Sequence, residues 1–417
     1  MLARLHARIL EQDAALHGHA PRCPDCGRPM AARGRKATSF ITRFGTVRLR
    51  PRGYRCMPCR CHERPLLTRL GVEAGQVSGG LARLLALLGA VVPYELAARL
   101  AHLFFGVTVC PMTVWRAVQR LGAACEQYVE AQAAYYADGR NPRPQAVTPP
   151  AAVVLGVDGC ALGMQVRTTR RRAQPGQPLP PLPPVADGQF REVKTGVLLL
   201  PAERCEPRPG RQSVIRRVLC TCLGEADRIF ERLWAQLWAY GWLSPTTVVV
   251  IVGDGAEWIW KRAQLFPRRC EILDFWHAIE YAWDFARLRY GEESTHAATW
   301  VHRLATDLRA GHLDAVLTRL GRLRVTTPEQ GEALACLIRY YTENRTRMRY
   351  DEYLRLGYGI GSGAVESAHK QVVQARMRQA GMRWSERGAR HLLALRVLLL
   401  NDQWALLDRL TMGRLAA

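Results

Sequence analysis

Two β-branched apolar runs in this chain each stop at an aspartate, VVLGVDG at Asp158 and TVVVIVGDGAEW at Asp254, and a helical pattern opens near Glu366 in IGSGAVESAHK. Acidic residues so far apart in sequence meet only if a sheet with helices on it carries them, and a cluster of carboxylates is costly without a neutralising cation. Mg²⁺ or Mn²⁺ is the expected cation, as a pair about 3.5–4 Å apart working on the two sides of a phosphodiester. Each acid also has a plainer reading. Asp158-Gly159 suits a β-hairpin turn, Gly253-Asp254-Gly255 suits a turn with a helix cap, and Glu366 gains from the dipole of its helix.

Charge defines the partner. The chain carries 59 Lys and Arg against 36 Asp and Glu, a formal net charge of +23. The excess is largely arginine, whose planar fork matches phosphate oxygens, so double-stranded DNA is the expected partner. A membrane is not expected: LARLLALLGAVV stops at Pro93, short of the roughly 18 apolar residues a span requires. The first residues, MLARLHARILEQDAALHG, read as an amphipathic helix over 1–20 without a signal-peptide core, which implies a cytoplasmic, nucleoid-associated protein.

Of the 13 cysteines, Cys23, Cys26, Cys56 and Cys59 form two C-x-x-C knuckles around a hairpin-like stretch. Four thiolates at that spacing can surround one structural Zn²⁺, so residues 21–75 read as a zinc ribbon. A disulfide is disfavoured in reducing cytosol, and no thioredoxin-like context supports a redox pair. Cys61 and His62 lie close enough in sequence to replace a ligand.

Residues 76–140 repeat apolar side chains at helical spacing, with Pro93 and Pro111 at helix starts and Gly106 at a stop. A helix-turn-helix reading places Thr113, Arg116 and Gln119 against DNA, and a plain helical hairpin fits the same pattern. A linker, 141–150, leads to a core starting at residue 151. There strands (AVVLGVD, ALGMQVRTT, REVKTGVLLLP) precede a helix-strand alternation through TTVVVIVGD and CEILDF, which predicts a mixed sheet. Residues 280–356 read as all-α, and 357–417 complete the core with the Glu366 helix and C-terminal helices. The glycines of GYGIGSGA follow no strand of a βαβ unit and precede no Walker lysine, so they read as a loop delivering Glu366. Lys370, one turn on, and Arg378 and Arg383 beyond it are candidate DNA contacts.

The set GVDG, REVKTG, GDGAEWIW, ILDFWHA and GYGIGSGAVESAHKQVVQARMRQAGMRWS resembles the DDE transposases of bacterial insertion sequences, particularly the ISKra group, distant relatives of Mutator and hAT transposases. The resemblance runs from about Cys23 to Trp404. It implies an RNase H-like mixed-sheet core interrupted by an all-α insertion, with Asp158, Asp254 and Glu366 as catalytic triad. It also implies that Asp274 and His277 belong to the active site. From residues alone these two are a strand-end cap and a helix-start histidine.

The expected function is therefore a transposase that binds terminal inverted repeats, cuts DNA and transfers the strand, working as a homo-oligomer on DNA with two Mg²⁺ or Mn²⁺ ions and a structural Zn²⁺. A catalytically inactive DNA-binding descendant and another metal-dependent nuclease are the alternatives.

Overall fold

The computed structural model describes residues 20–72, 77–137, 148–165, 189–208, 211–214 and 216–412. Nearly all of the helix expected over 1–20, most of the linker 141–150, the basic run Arg170 to Arg172 and the proline-rich stretch 174–185 lie outside them. The chain divides into two compact units, one made of Met1–Val129 with Trp384–Ala417 and the other of Glu130–Arg383. Residues 357–417 are expected to complete the core, whereas their last part groups with the N-terminal unit.

In the first unit β1 (Ala31–Arg35), β4 (Arg52–Arg55) and β5 (His62–Glu63) form one small antiparallel sheet, and β2 (Thr38–Thr42) pairs with β3 (Gly45–Leu49) as a hairpin. Two apolar clusters are shared between them: Phe40, Val47, Leu49, Leu66 and Leu67 under the hairpin, and Cys23, Met30, Tyr54 and Cys56 at the knuckles. The second cluster is too small to hold a fold by apolar burial alone, and its two cysteines are its centre. A short helix at Pro65–Arg69 carries Leu66 and Leu67, and α1 (Gly79–Val91), α2 (Tyr94–Phe105) and α3 (Pro111–Tyr135) follow it. Their limits come from local chemistry. Ser78 accepts the Leu81 N–H at the start of α1 (3.3 Å), and Gly106 closes α2 in the left-handed region at φ 63°.

In the second unit a five-stranded sheet runs in the order β10-β7-β6-β11-β12, built from β6 (Ala152–Gly163), β7 (Phe190–Leu199), β10 (Arg217–Leu223), β11 (Val248–Gly253) and β12 (Arg269–Leu273). A separate hairpin, β8 (Arg204–Arg208) with β9 (Arg211–Val214), lies between β7 and β10 in sequence. β10, β7 and β6 are antiparallel neighbours, while β6, β11 and β12 are parallel. The strands are buried along most of their length, as expected of a sheet covered on both faces.

Two glycines show where the covering helices come close. A Cβ on Gly196 would lie 2.7 Å from Leu233 of α4 (Ala226–Ala239), and one on Gly156 would touch Val365 at 3.5 Å. Gly196 pairs with Val157 and Gly156 with Val197, so in a pleated sheet the two contacts fall on opposite faces. Asp158 shares the Gly156 face.

β11 is followed by α5 (Glu257–Ala263), and β12 by α6 (Phe275–Tyr290). An all-helical stretch comes next: α7 (Thr295–Arg309), α8 (Leu313–Gly321), α9 (Pro328–Glu343) and a short helix at Tyr350–Arg355. The chain then returns as α10 (Gly363–His369), runs directly into one π-helical turn at Lys370–Gln374, and ends in α11 (Glu386–Leu400) and a further helix at Trp404–Met412. Among the described residues no helix is long and apolar enough to cross a membrane.

The strands differ from expectation in two places. AVVLGVD continues without a turn into the start of the second expected strand, as β6 through Gly163: Asp158 and Gly159 stand in register with Thr195 and Lys194 of β7, and the space above Gly159 is taken by Glu192. The edge strand β10, RVLCTCL, and the β8–β9 hairpin that precedes it in sequence are additions to the strands expected from the apolar pattern.

Candidate carboxylate site and cysteine cluster

Register assembles the first site. β11 pairs with β6 through Val252 and Gly156 and with β12 through Gly253 and Leu273. Counting on along both pairings puts Asp158, Asp254 and Asp274 at one level, on three neighbouring parallel strands at or just past the C-terminal ends of β11 and β12. Asp158 is thus mid-strand, away from any hairpin tip. Glu366 comes from the face above, where Val365 of α10 packs over Gly156.

The acids are held differently. Asp158 accepts the Gly159 N–H on Oδ1 (2.6 Å), while its Oδ2 lies 3.3 Å from Nε2 of His369, a buried ring on the Glu366 helix. The contact is at ion-pair distance, although neither ring nitrogen makes a well-aligned hydrogen bond. Burial opposes charge on His369, but contact with Asp158 and Cys160 outweighs it and holds the imidazole pKa up at about 9. Burial likewise pushes the Asp158 carboxyl up, and the His369 contact brings it below its ordinary value.

Asp254 is half-buried and accepts the Ala256 N–H on Oδ1 (3.0 Å). Its carbonyl oxygen accepts the Tyr340 hydroxyl at 2.6 Å, and that ring stacks on Tyr281 with centroids 4.0 Å apart. The helical insertion therefore grips the end of β11. It grips β12 as well, through Arg347 on Glu271 (2.8 Å) and the Tyr353 hydroxyl on the Glu271 carbonyl (3.2 Å).

Asp274, expected in the active site, is a buried tie between the start of α6 and the glycine loop. It is 0% exposed; Oδ1 accepts the Trp276 N–H (2.6 Å) as the cap of α6, and Oδ2 accepts the Ser362 N–H (2.9 Å). His277 Nδ1 stands 3.2 Å from Oδ2. That carboxylate contact raises His277 to about 9 against the opposing effect of burial. The plain reading of Asp274 as a strand-end cap holds, and the cap also reaches the glycine loop. Ser362, His369 and Tyr340 are additions to the residues singled out from sequence. Ser362 and His369 sit four before and three after Glu366, spacings that bring helical neighbours together.

Among the described residues, three or more potential ligand atoms within 4.8 Å of one another occur only around the cysteines. Asp158, Asp254 and Glu366 are not drawn into such a cluster. Asp158 and Asp254 share a level by strand register, and Glu366 follows Val365, which packs over Gly156, so each is fixed by its own strand or helix.

Cys23, Cys26, Cys56 and Cys59 do meet that distance, and can hold a metal ion. Cys61 adds a fifth thiol, 3.3 Å from Cys23 Sγ, and Cys23, Asp25 and Cys61 form an overlapping group. Burial pushes the Cys23 thiol up, but N–H groups of Cys26 and Asp25 together with the thiols of Cys61 and Cys56 bring it to about 6. Cys61 is pushed up to about 11 by the same contact with Cys23 and by burial. Thiols that compete for protons in this way are the ones a soft cation would deprotonate together.

The candidate DNA contacts separate. Arg116 is exposed, and Thr113 is half-buried with its hydroxyl 3.3 Å from Cys110 Sγ. Gln119 is turned inward: Oε1 meets Nδ1 of His391 on α11 at 2.9 Å. Three residues on, a Cβ at Gly122 would lie 2.3 Å from the His391 carbonyl, so this face of α3 is closed by α11 and unavailable to a groove. Lys370, Arg378 and Arg383 are exposed, with the Arg383 guanidinium 5.9 Å from the exposed Phe190 ring.

Residues 208–406, a little under half of the 417, match an uncharacterised protein family, UPF0236. The match takes in Asp254, Asp274, His277, Ser362, Glu366 and His369, and leaves out Asp158 and the cysteine knuckles. No curated protein matches the chain.

Proposed function

We propose that this chain is a DDE-type transposase acting on the ends of an insertion sequence, with Asp158, Asp254 and Glu366 as its catalytic carboxylates. One observation carries the reading: Asp158 and Asp254 fall level on adjacent parallel strands, and the helix of Glu366 packs over Gly156 of one of them. The strand order supports an RNase H-like core. Numbered along this domain, the sheet runs third, second, first, fourth, fifth, with the first three antiparallel and an all-helical insertion before the last acidic helix.

The donor set suits a hard divalent cation. Asp158, Asp254 and Glu366 are all partly exposed, all offer oxygen, and Asp254 Oδ2 and Glu366 Oε2 have no hydrogen-bond partner among the described residues. These residues would hold Mg²⁺ or Mn²⁺, which when bound supplies Lewis-acid activation of an attacking hydroxyl and neutralises the leaving oxygen. The chain's own residues set orientation. Ala256 and Gly159 N–H groups fix the rotation of two carboxylates, Ser362 fixes the third, and exposed Lys370, Arg378 and Arg383 offer phosphate contacts along the acidic helix and beyond it. Cys23, Cys26, Cys56 and Cys59 would hold Zn²⁺ in a unit that binds terminal inverted repeats, two copies of the chain joining two ends.

The test is cleavage of duplexes carrying the element's ends. Asp158→Asn, Asp254→Asn and Glu366→Gln should each lower Mg²⁺-dependent cleavage at least about 1,000-fold while leaving end binding within twofold; a variant that still cuts removes its residue from the triad.

A further inference from the structure

Asp274 and Ser362 are both buried, 0% and 4% exposed, at the point where the sheet end, the cap of α6 and the glycine loop converge. The Asp274 N–H donates to the carbonyl of Gly253, the residue before Asp254, at 2.7 Å, and the next N–H, of Phe275, donates to the Ile360 carbonyl at 2.8 Å. The Asp274 carboxylate then accepts the Ser362 N–H at 2.9 Å, and the Ser362 hydroxyl donates to Glu366 Oε1 at 3.0 Å. A continuous hydrogen-bonded path thus runs from the strand bearing Asp254, through Asp274 and Ser362, to the Glu366 carboxylate. The loop is seated closely: a Cβ on Gly361 would lie 3.1 Å from Cδ1 of Trp276.

We propose that Asp274 and Ser362 form a positioning latch that fixes the Glu366 carboxylate relative to Asp254. Neither residue is catalytic in itself. Asp274 is 0% exposed, with its Oδ1 accepting from Trp276 and its Oδ2 from Ser362, so it is walled off from an incoming cation, unlike the partly exposed Asp158, Asp254 and Glu366. Ser362 leaves Glu366 Oε2 open while restraining Oε1. A flexible glutamate on a helix end samples several rotamers, and a hydroxyl from a buried backbone anchor selects one. The latch rests on the carboxylate reading above and deepens it.

The experiment uses the full chain and Mn²⁺ alone as probe, with bound Mn²⁺ followed by electron paramagnetic resonance. Ser362→Ala should weaken Mn²⁺ binding about tenfold, the scale seen when a group orienting a ligand is lost, and raise the Mn²⁺ needed for half-maximal end cleavage similarly. The circular dichroism spectrum and end-DNA binding should not change. Ser362→Thr, which keeps the hydroxyl, should restore both values, an outcome that packing alone does not predict. Asp274→Asn should act in the same direction, but Ser362→Ala is the deciding variant, since the serine hydroxyl can be removed without disturbing the buried cap. Wild-type Mn²⁺ affinity in Ser362→Ala, with binding lost in Asp254→Asn and Glu366→Gln, overturns the latch alone. If those two carboxylate variants also bind Mn²⁺ normally, the carboxylate reading fails and the latch falls with it.

Discussion

The cysteine cluster and the carboxylates of this molecule are assembled in opposite ways. At the knuckles, four thiols from two short loops converge within 4.8 Å around a cluster whose core includes two of the cysteines themselves. On the sheet, the acids stay apart, Asp158 and Asp254 spaced by strand register and Glu366 by helix packing. A metal at the first site would replace a core; a metal at the second would occupy a frame that stands without it. Binding is then coupled to folding in one unit and to function in the other.

The largest expected effect tests the first half of that contrast. Cys56→Ser removes a fully buried thiol from the centre of the knuckle cluster, so bound zinc, followed by elemental analysis, should be lost and the thermal transition of the N-terminal unit should disappear. Asp254→Asn should leave every thermal transition within a few degrees of wild type. A folded, zinc-free Cys56→Ser protein would break the comparison, because the cysteine knuckles would then have a core of their own.

Next in size is the backbone at Asp254. Gly255 has φ +97°, and a Cβ there would lie 2.9 Å from the Tyr340 hydroxyl and 3.2 Å from Leu273. Gly255→Ala combines strain with overlap and should lower stability by about 2 kcal/mol, read by chemical denaturation, while reducing cleavage because Asp254 must shift with it. An unchanged midpoint would mean the strand end is soft, contrary to a preformed frame.

The contrast also explains what is visible in sequence. The cysteine spacing is local, so Cys23, Cys26, Cys56 and Cys59 can be grouped from four positions and a hairpin between them. The carboxylates depend on pairing across about a hundred residues, yet two of them end apolar runs, and that suffices to suggest the sheet. Asp158-Gly159 misleads as a possible turn because the pair's preference for positive φ is real; here pairing with Thr195 and Lys194 overrides it. The all-α insertion is legible from helical period. Its function as a grip is not, since nothing in the order of Tyr340 or Arg347 shows that they meet Asp254 and Glu271. Gln119 fails for a related reason: the face that closes it comes from His391, far along the chain.

A smaller effect should appear with pH. His369 has its folded pKa raised to about 9 from an ordinary 6.5, so its pairing with Asp158 stabilises fully below pH 6.5 and is lost as pH rises through about 9. On the acid side Asp158, held below its ordinary 3.8, contributes above that value and loses its contribution as pH falls through its lowered one. In buffer without added divalent cation, the melting temperature gap between wild type and His369→Gln should be widest near pH 6 and close towards about pH 9.5. A gap constant with pH would reduce His369 to packing.

The smallest effect isolates the insertion. Tyr340→Phe deletes the hydroxyl that donates to the Asp254 carbonyl at 2.6 Å and leaves the ring to stack on Tyr281. The carbonyl sits at the partly open end of β11, where water can replace the lost donor, so the cost in stability should be about 1 kcal/mol. Its effect on cleavage separates two pictures of the frame. If the helical insertion holds Asp254 in place, the Mn²⁺ needed for half-maximal cleavage should rise several-fold, and Tyr340→Phe combined with Ser362→Ala should depart from additivity, because both act on ligands of the same cation. If the insertion only packs beside the sheet, the hydroxyl is dispensable and the metal requirement stays at the wild-type value. The frame would then be the sheet and the latch alone.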